Sequence, residues 1–258
     1  KLSTVIGVWD YQYPRHRPEV LDIALQLASD YHPNVFILGG DNLDCTSVSS
    51  HGAPAKIRVL QPINKDFSGL ERDVLDPIDA LGITTKIWFR GNHEKWLDDY
   101  TSTHPELHGF LDEVKQLHLK ERGWKIIPYK KYWRLGKIYY HHGDWRANRQ
   151  GRSWIPRYHA AKAVSTVHRN IRYGHHHTLQ AHSEVNPISS DDAHTALSIP
   201  AGCKLEQHYL EGGDTNWLNG LYIGWVRADG SFNDYVIVVH KKRAIFAGKE
   251  YTARYTAR

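Results

Sequence analysis

Cysteine is scarce in this chain. Its 258 residues hold only Cys45 and Cys203, far apart and neither in a Cys-x-x-Cys pair. That spacing speaks against a disulfide framework and against a zinc knuckle, and a reducing, cytoplasmic setting is the expectation. Methionine is absent altogether. Residues 4–8 lead straight into a strand-like segment without a charged n-region or a small-residue cleavage site. No apolar run approaches the roughly 18–20 residues that cross a bilayer, so a membrane-spanning helix is not expected. Low-complexity linkers are missing too. The one internal repeat is the Tyr-Thr-Ala-Arg doublet at 251–258, too short to be architectural and read as a frayed tail.

What remains suits one large α/β domain over 1–250, followed by that tail. The formal charge of +5 favours anionic partners and says little about fold. Strand-like and helix-like segments alternate. Residues 4–9, 35–38 and 85–89 read as buried strands. Pro18 can open a helix whose apolar face is Val20, Leu21, Ala24, Leu25, Leu27 and Ala28. A helical region over 62–81 is expected to be interrupted at Pro77, and helical segments over 94–118 precede strands at 124–129 and 132–141. Residues 156–169 read as helix and 171–173 as a short strand. The segments 221–226 and 235–240 flank Asp229-Gly230 as an antiparallel hairpin.

Polar, metal-competent clusters recur just after the apolar strands: at Asp10, at Gly40-Asp41-Asn42-Leu43-Asp44, at Gly91-Asn92-His93-Glu94, at His141-His142-Gly143-Asp144 and at Gly174-His175-His176-His177. Loops beyond strand carboxyl ends are where open α/β sheets bind ligands. Taken singly, each cluster has an ordinary reading as a cap, a turn or a solvated loop. His175 and His177 are sharper, because histidines two apart on an extended segment face the same side, as a metal pair requires. Five independent loops carrying such residues in order are hard to explain without a shared site.

That order resembles the calcineurin-like metallophosphoesterases: Asp-x-His, Gly-Asp-x-x-Asp, Gly-Asn-His-Glu, His-Gly and Gly-His-x-His. The segment from Val5 through Pro14 and Glu19, with Gly202-Cys203 and Tyr209-Leu210-Glu211-Gly212, is similar to a phage and prophage subgroup, which would place the protein in a host cytoplasm. The resemblance implies an α/β fold in which two sheets form a sandwich flanked by helices. It implies two divalent ions, Mn²⁺ first, with Fe, Zn²⁺ or Ni²⁺ as alternatives, holding a hydroxide that attacks a phosphate ester. Asp41 would bridge the ions. Asp10, Gln12 and His177 would serve the first, and Asn92, His142 and His175 the second. His93 would act as general acid, with Asp44 orienting its imidazole.

One position departs from the family pattern. The first motif is Asp10-Tyr11-Gln12, with an amide where an imidazole is usual, so a weakened first metal site is expected; His16 is a possible substitute ligand. Arg146, Arg149 and Arg152, with Arg157 and two tryptophans nearby, suit phosphate contact and base stacking, or else form a solvated basic loop. Cys45-Thr46 stands where protein phosphatases of the family carry Arg-Gly, which favours nucleotides or nucleic acid over phosphoproteins. Trp217, Leu221, Tyr222 and Trp225 read as packing, and Lys241-Lys242-Arg243 as a charged strand end. The leading expectation is hydrolysis of a phosphodiester in a nucleotide or nucleic acid, with no membrane partner. A phosphomonoesterase and a catalytically weak nucleic-acid-binding protein are the alternatives.

Overall fold

The structure, a computed structural model, describes residues 2–49, 62–145, 157–206 and 215–254. Three short apolar segments set its first sheet: β1 (Ser3–Val8), β2 (Val35–Leu38) and β3 (Thr85–Phe89). They run parallel, with β4 (Trp124–Ile127) beyond β3. The second sheet contains β5 (Trp133–Leu135), β6 (Ile138–His141), β7 (Asn170–Tyr173), β8 (Gln180–Asn186) and β9 (Ser189–Ser198). The hairpin of β10 (Gly220–Val226) and β11 (Phe232–Val238) returns antiparallel to β1. The strand orders are β11-β10-β1-β2-β3-β4 and β5-β6-β7-β9-β8.

Alternation along the strands creates three apolar layers. Ile6, Val8, Phe36, Leu38 and Trp88 face outward onto α1 (Pro18–Tyr31), which supplies Val20, Ala24, Leu27 and Ala28. Val5, Trp9, Val35, Ile37 and Phe89 face inward and meet Ile138 and Tyr140 of the second sheet and Ile199, just beyond β9. Beyond that sheet, Ala160, Ala163 and Val164 of the helix His159–Val167 cover Ile171, Tyr173 and Ala196. The expected α/β sandwich of two sheets flanked by helices is the architecture observed. Parallel strands covered on both faces read as continuous apolar runs, which is why β1, β2 and β3 are plain in the sequence.

Several expectations need correction. The helical region holding Pro77 is not broken: α2 (Ile63–Leu70) passes through a π-helical turn, Glu71–Leu75, into α3 (Asp76–Asp79). The wider turn accommodates a proline that has no N–H to give. The segment 132–141 is two strands, because Gly136 turns the chain at φ 57° between β5 and β6. The tail does not begin at 251. Arg243–Phe246 and Lys249–Thr252 form a hairpin, β12 and β13. Tyr251 is 1% exposed in the outer core, with its hydroxyl on Asp30. The helical segments expected over 94–118 are α4 (Asn92–Thr103) and α5 (Glu113–Gln116), joined by a 3₁₀ turn.

Candidate metal centre

The five clusters converge because the ends of β1, β2, β3, β6 and β7 lie side by side. Backbone bonds stitch neighbouring loops together. Asp10 N–H donates to Gly40 O, Gln12 N–H to Asp41 O, and Gly174 N–H to His142 O, at 2.7–3.0 Å. Beneath them the Trp9 indole lies between the sheets, its Nε1 donating to His141 O at 3.0 Å. A Cβ at Gly39 would sit 2.2 Å from the Trp9 ring, and one at Gly91 would sit 2.1 Å from Asp41 Oδ1. Any side chain at either position would push the loops apart.

Asp41 is the hub. Its carboxylate accepts the His93 N–H at 2.9 Å and lies 3.3 Å from His142 Nε2 and 3.6 Å from His93 Nε2. Asp41, His142 and His175 bring ligand atoms within 4.8 Å of one another. His142 Nδ1 donates to Gly39 O at 3.1 Å, so Nε2 presents its lone pair, and Asn92 Oδ1 is 3.1 Å away. Lone pairs of His142, Asn92 and Asp41 thus point at one another at 3.1–3.3 Å. Such an arrangement is tolerable only with a proton or a cation between them. The electrostatics agree. Burial opposes protonation of His142, but the Asp41 carboxylate outweighs it and pushes the imidazole up to about 10. Burial likewise opposes ionisation of Asp41, yet the His142 and His93 imidazoles hold its carboxyl well below the usual range. A divalent ion can take that proton's place.

Asp10 and His177 meet beside this group, with Asp10 Oδ1 3.4 Å from His177 Nε2. Asp10 Oδ2 accepts the His175 N–H at 2.7 Å, while Oδ1 is buried with no hydrogen-bond donor among the described residues. A fully buried carboxylate oxygen facing an imidazole, beside an oxygen-and-nitrogen cluster, fits a second cation. Gln12 is buried at the same turn. The backbone is unusual here: Asp10, Gln12, Asp41, His175 and His177 all have φ between 50° and 69°. Left-handed non-glycine residues cost energy and gather where function requires them. His175 and His177 are therefore presented by a turn, not by the extended segment their spacing suggested.

His93 opens α4 and stacks on Trp96, with ring centroids 4.0 Å apart. Its Nδ1 donates to the Asp44 backbone carbonyl at 2.8 Å, which leaves Nε2 as the atom able to give or take a proton. The expected Asp44 contact is thus made by its main chain. The Asp44 carboxylate instead accepts from Thr46 Oγ1.

Two residues of the centre were not assigned roles from the sequence. The buried Glu94 carboxylate accepts from the N–H groups of Asp41, Asn42, Leu43 and Gly91 at 2.7–3.1 Å, and so fixes the loop that presents Asp41. Its place three residues into the helix, where a capping-box acid stands, was the available signal. Trp217, read as packing, lies edge-on to His177 with ring centroids at 4.2 Å; no pattern in the sequence marks it. His16 does not substitute for Gln12. Its ring stacks on Tyr13 and lies against Tyr11, lining a separate cleft with Asp73. Arg146, Arg149 and Arg152 lie outside the described residues, as do Tyr209–Gly212. Lys241 and Lys242 line another cleft of about 420 Å³ with Arg17 and Glu19.

The sequence profile of the calcineurin-like phosphoesterases matches residues 12–199, well over half of the chain. The chain belongs to that family. This phosphoesterase is a hydrolase acting on phosphoester bonds, and the family implies divalent metal ions, for which the Asp41 cluster is a candidate site. Among solved structures it is similar to vacuolar protein sorting 29 from Cryptosporidium parvum: 13% identity, 98% of this chain and 96% of that one covered, TM-score 0.43. It is also similar to a metallophosphoesterase from Sphaerobacter thermophilus: 12% identity, coverage 92% and 88%, TM-score 0.42. No functionally curated protein matches it in sequence.

Proposed function

We propose that this phosphoesterase hydrolyses phosphodiesters, in a nucleotide or nucleic acid, at a two-metal centre. The observation that carries the reading is the convergence on Asp41 of His142, His175, Asn92 and His93, with Asp10 and His177 alongside. Asn92, His142 and His175 would hold one ion, Asp10, His177 and Gln12 the other, and Asp41 would contact both. Two divalent ions, when bound, polarise phosphoryl oxygens and activate water at neutral pH. His93 then has a separate task. With Nδ1 tied to the Asp44 carbonyl and its ring against Trp96, its Nε2 can deliver a proton to the departing alkoxide.

Support for a nucleotide or nucleic-acid substrate is the net positive charge, the arginines at 146–157 and the absence of Arg-Gly after Asp44. A parallel assay of bis-p-nitrophenyl phosphate and p-nitrophenyl phosphate with added Mn²⁺ tests the reading. Faster turnover of the diester is expected. Preference for the monoester would replace it with a phosphomonoesterase, and activity on neither with any divalent ion would remove the catalytic proposal.

A further inference from the structure

The two metal positions are built from different chemistry. Beside the shared Asp41, one has the imidazoles of His142 and His175 and the Asn92 amide. The other would draw on the Asp10 carboxylate and a single imidazole, His177, with Gln12, an amide, buried at the turn beside Asp10. Imidazole suits the later first-row ions, whereas carboxylate and amide oxygens suit harder ones.

Support around the ligands differs in the same direction. His142 Nδ1 donates to Gly39 O, which locks the tautomer and aims Nε2 at Asp41 and Asn92. His177 Nδ1 is buried and has no hydrogen-bond partner among the described residues; its ring lies edge-on to Trp217. An outer acceptor raises the basicity of a ligand histidine, and lacking one costs roughly 10–100-fold in metal affinity.

We infer that the two positions are inequivalent in affinity and in the ion they prefer. The Asn92–His142–His175 position binds a borderline ion tightly. The Asp10–Gln12–His177 position binds a hard ion such as Mn²⁺ or Mg²⁺ weakly and exchanges it with solution. This rests on the two-metal reading proposed above.

The test titrates the metal-stripped full chain with Mn²⁺ alone, following free Mn²⁺ by electron paramagnetic resonance and binding heat by calorimetry. Two steps are expected, separated by at least about tenfold, with Mg²⁺ competing away the weaker one first. After loading and dialysis, close to one ion per chain should remain. Gln12→His should strengthen the weaker step alone, His177→Ala should erase it, and His142→Ala should erase the tighter one. Circular dichroism confirms that each variant is folded. Two equal steps, no gain from Gln12→His, or loss of the tight step in His177→Ala would overturn the inference while leaving a two-metal centre standing. A folded protein that binds no Mn²⁺ would overturn both.

Discussion

Glu94 shows how much one side chain carries at this centre. Four backbone N–H groups end on its carboxylate in a fully buried place. Burial, followed by the neighbouring Asp41 charge, raises its pKa, so the four donors work against a real cost of ionisation. Removing the carboxylate leaves those donors without partners, at about 1–3 kcal/mol each where water cannot enter. Glu94→Ala is expected to lower unfolding free energy in urea by several kcal/mol and to cut Mn²⁺ binding, since Asp41 rides on that loop. A variant with wild-type stability and metal content would show that the loop holds itself. His93 makes the opposite kind of case, because its effect belongs to the reaction and not to the fold. His93→Ala should slow alkyl diesters far more than p-nitrophenyl diesters, because a poor leaving group depends on protonation. Equal losses on the two substrates would assign the proton to another group. His93, Asn92, Asp41 and the outer histidines were legible in the sequence because each sits in a short motif at a strand end. Glu94 belonged to such a motif without its task being evident. Trp217 was not legible, because contact between an indole and a distant histidine leaves no pattern along the chain, whereas Trp96 stands three residues after His93 on one helix, a spacing whose use was not evident.

The elements divide in the same way. β1, β2, β3 and α1 were evident because burial on both sheet faces, or on one helix stripe, writes itself into periodic apolar residues. β8 was missed: nearly all of Gln180–Asn186 is exposed, so its strand is held by backbone pairing with β9 and no alternation marks it. β12 and β13 were missed for a related reason, with only Ala244 and Tyr251 of their residues buried. The joining of the two sheets was equally hidden. Arg172 of β7, 1% exposed, reaches across the middle layer to Asp234 of β11, which also accepts the Tyr222 hydroxyl at 2.9 Å. The same guanidinium donates to Thr195 O at 2.8 Å. Truncating one partner strands a buried charge, typically at about 3–5 kcal/mol. Asp234→Ala should destabilise the chain by that order, whereas Arg172→Met with Asp234→Leu should recover much of the loss. Chemical denaturation of the single variants and of the pair measures the coupling, and additive losses would mean that the pair does not link the sheets.

At the scale of the whole molecule, the histidines decide how the fold answers acid. Burial pushes His16 down to about 4, His159 to about 4 and His141 to about 3, each below the ordinary imidazole value. Neither His16 nor His159 is among the assigned ligands, although His159 stacks at 4.2 Å on His176, which lies between the ligands His175 and His177. One is stacked among Tyr11 and Tyr13. The other is hydrogen-bonded between the Tyr173 and Thr178 hydroxyls at 2.6 and 2.8 Å. In the unfolded chain these rings take up protons near pH 6.5, while in the folded chain they stay neutral until about pH 4. The unfolded state therefore binds more protons between those values, and stability is lost as pH falls through that window. The loss is on the order of 2 kcal/mol per histidine by the acid end. In metal-stripped protein, where ligand protonation is not confused with metal release, these rings should pull the urea midpoint down from pH 6.5 to pH 4, against the opposite contribution of Asp66 and Glu113, whose carboxyls burial pushes up to about 7. His159→Gln, which keeps a neutral hydrogen-bonding side chain, should flatten that fall by about one proton, and His16→Gln should do the same independently because the two lie in separate layers. If neither substitution changes the slope, these rings are not held neutral by the fold.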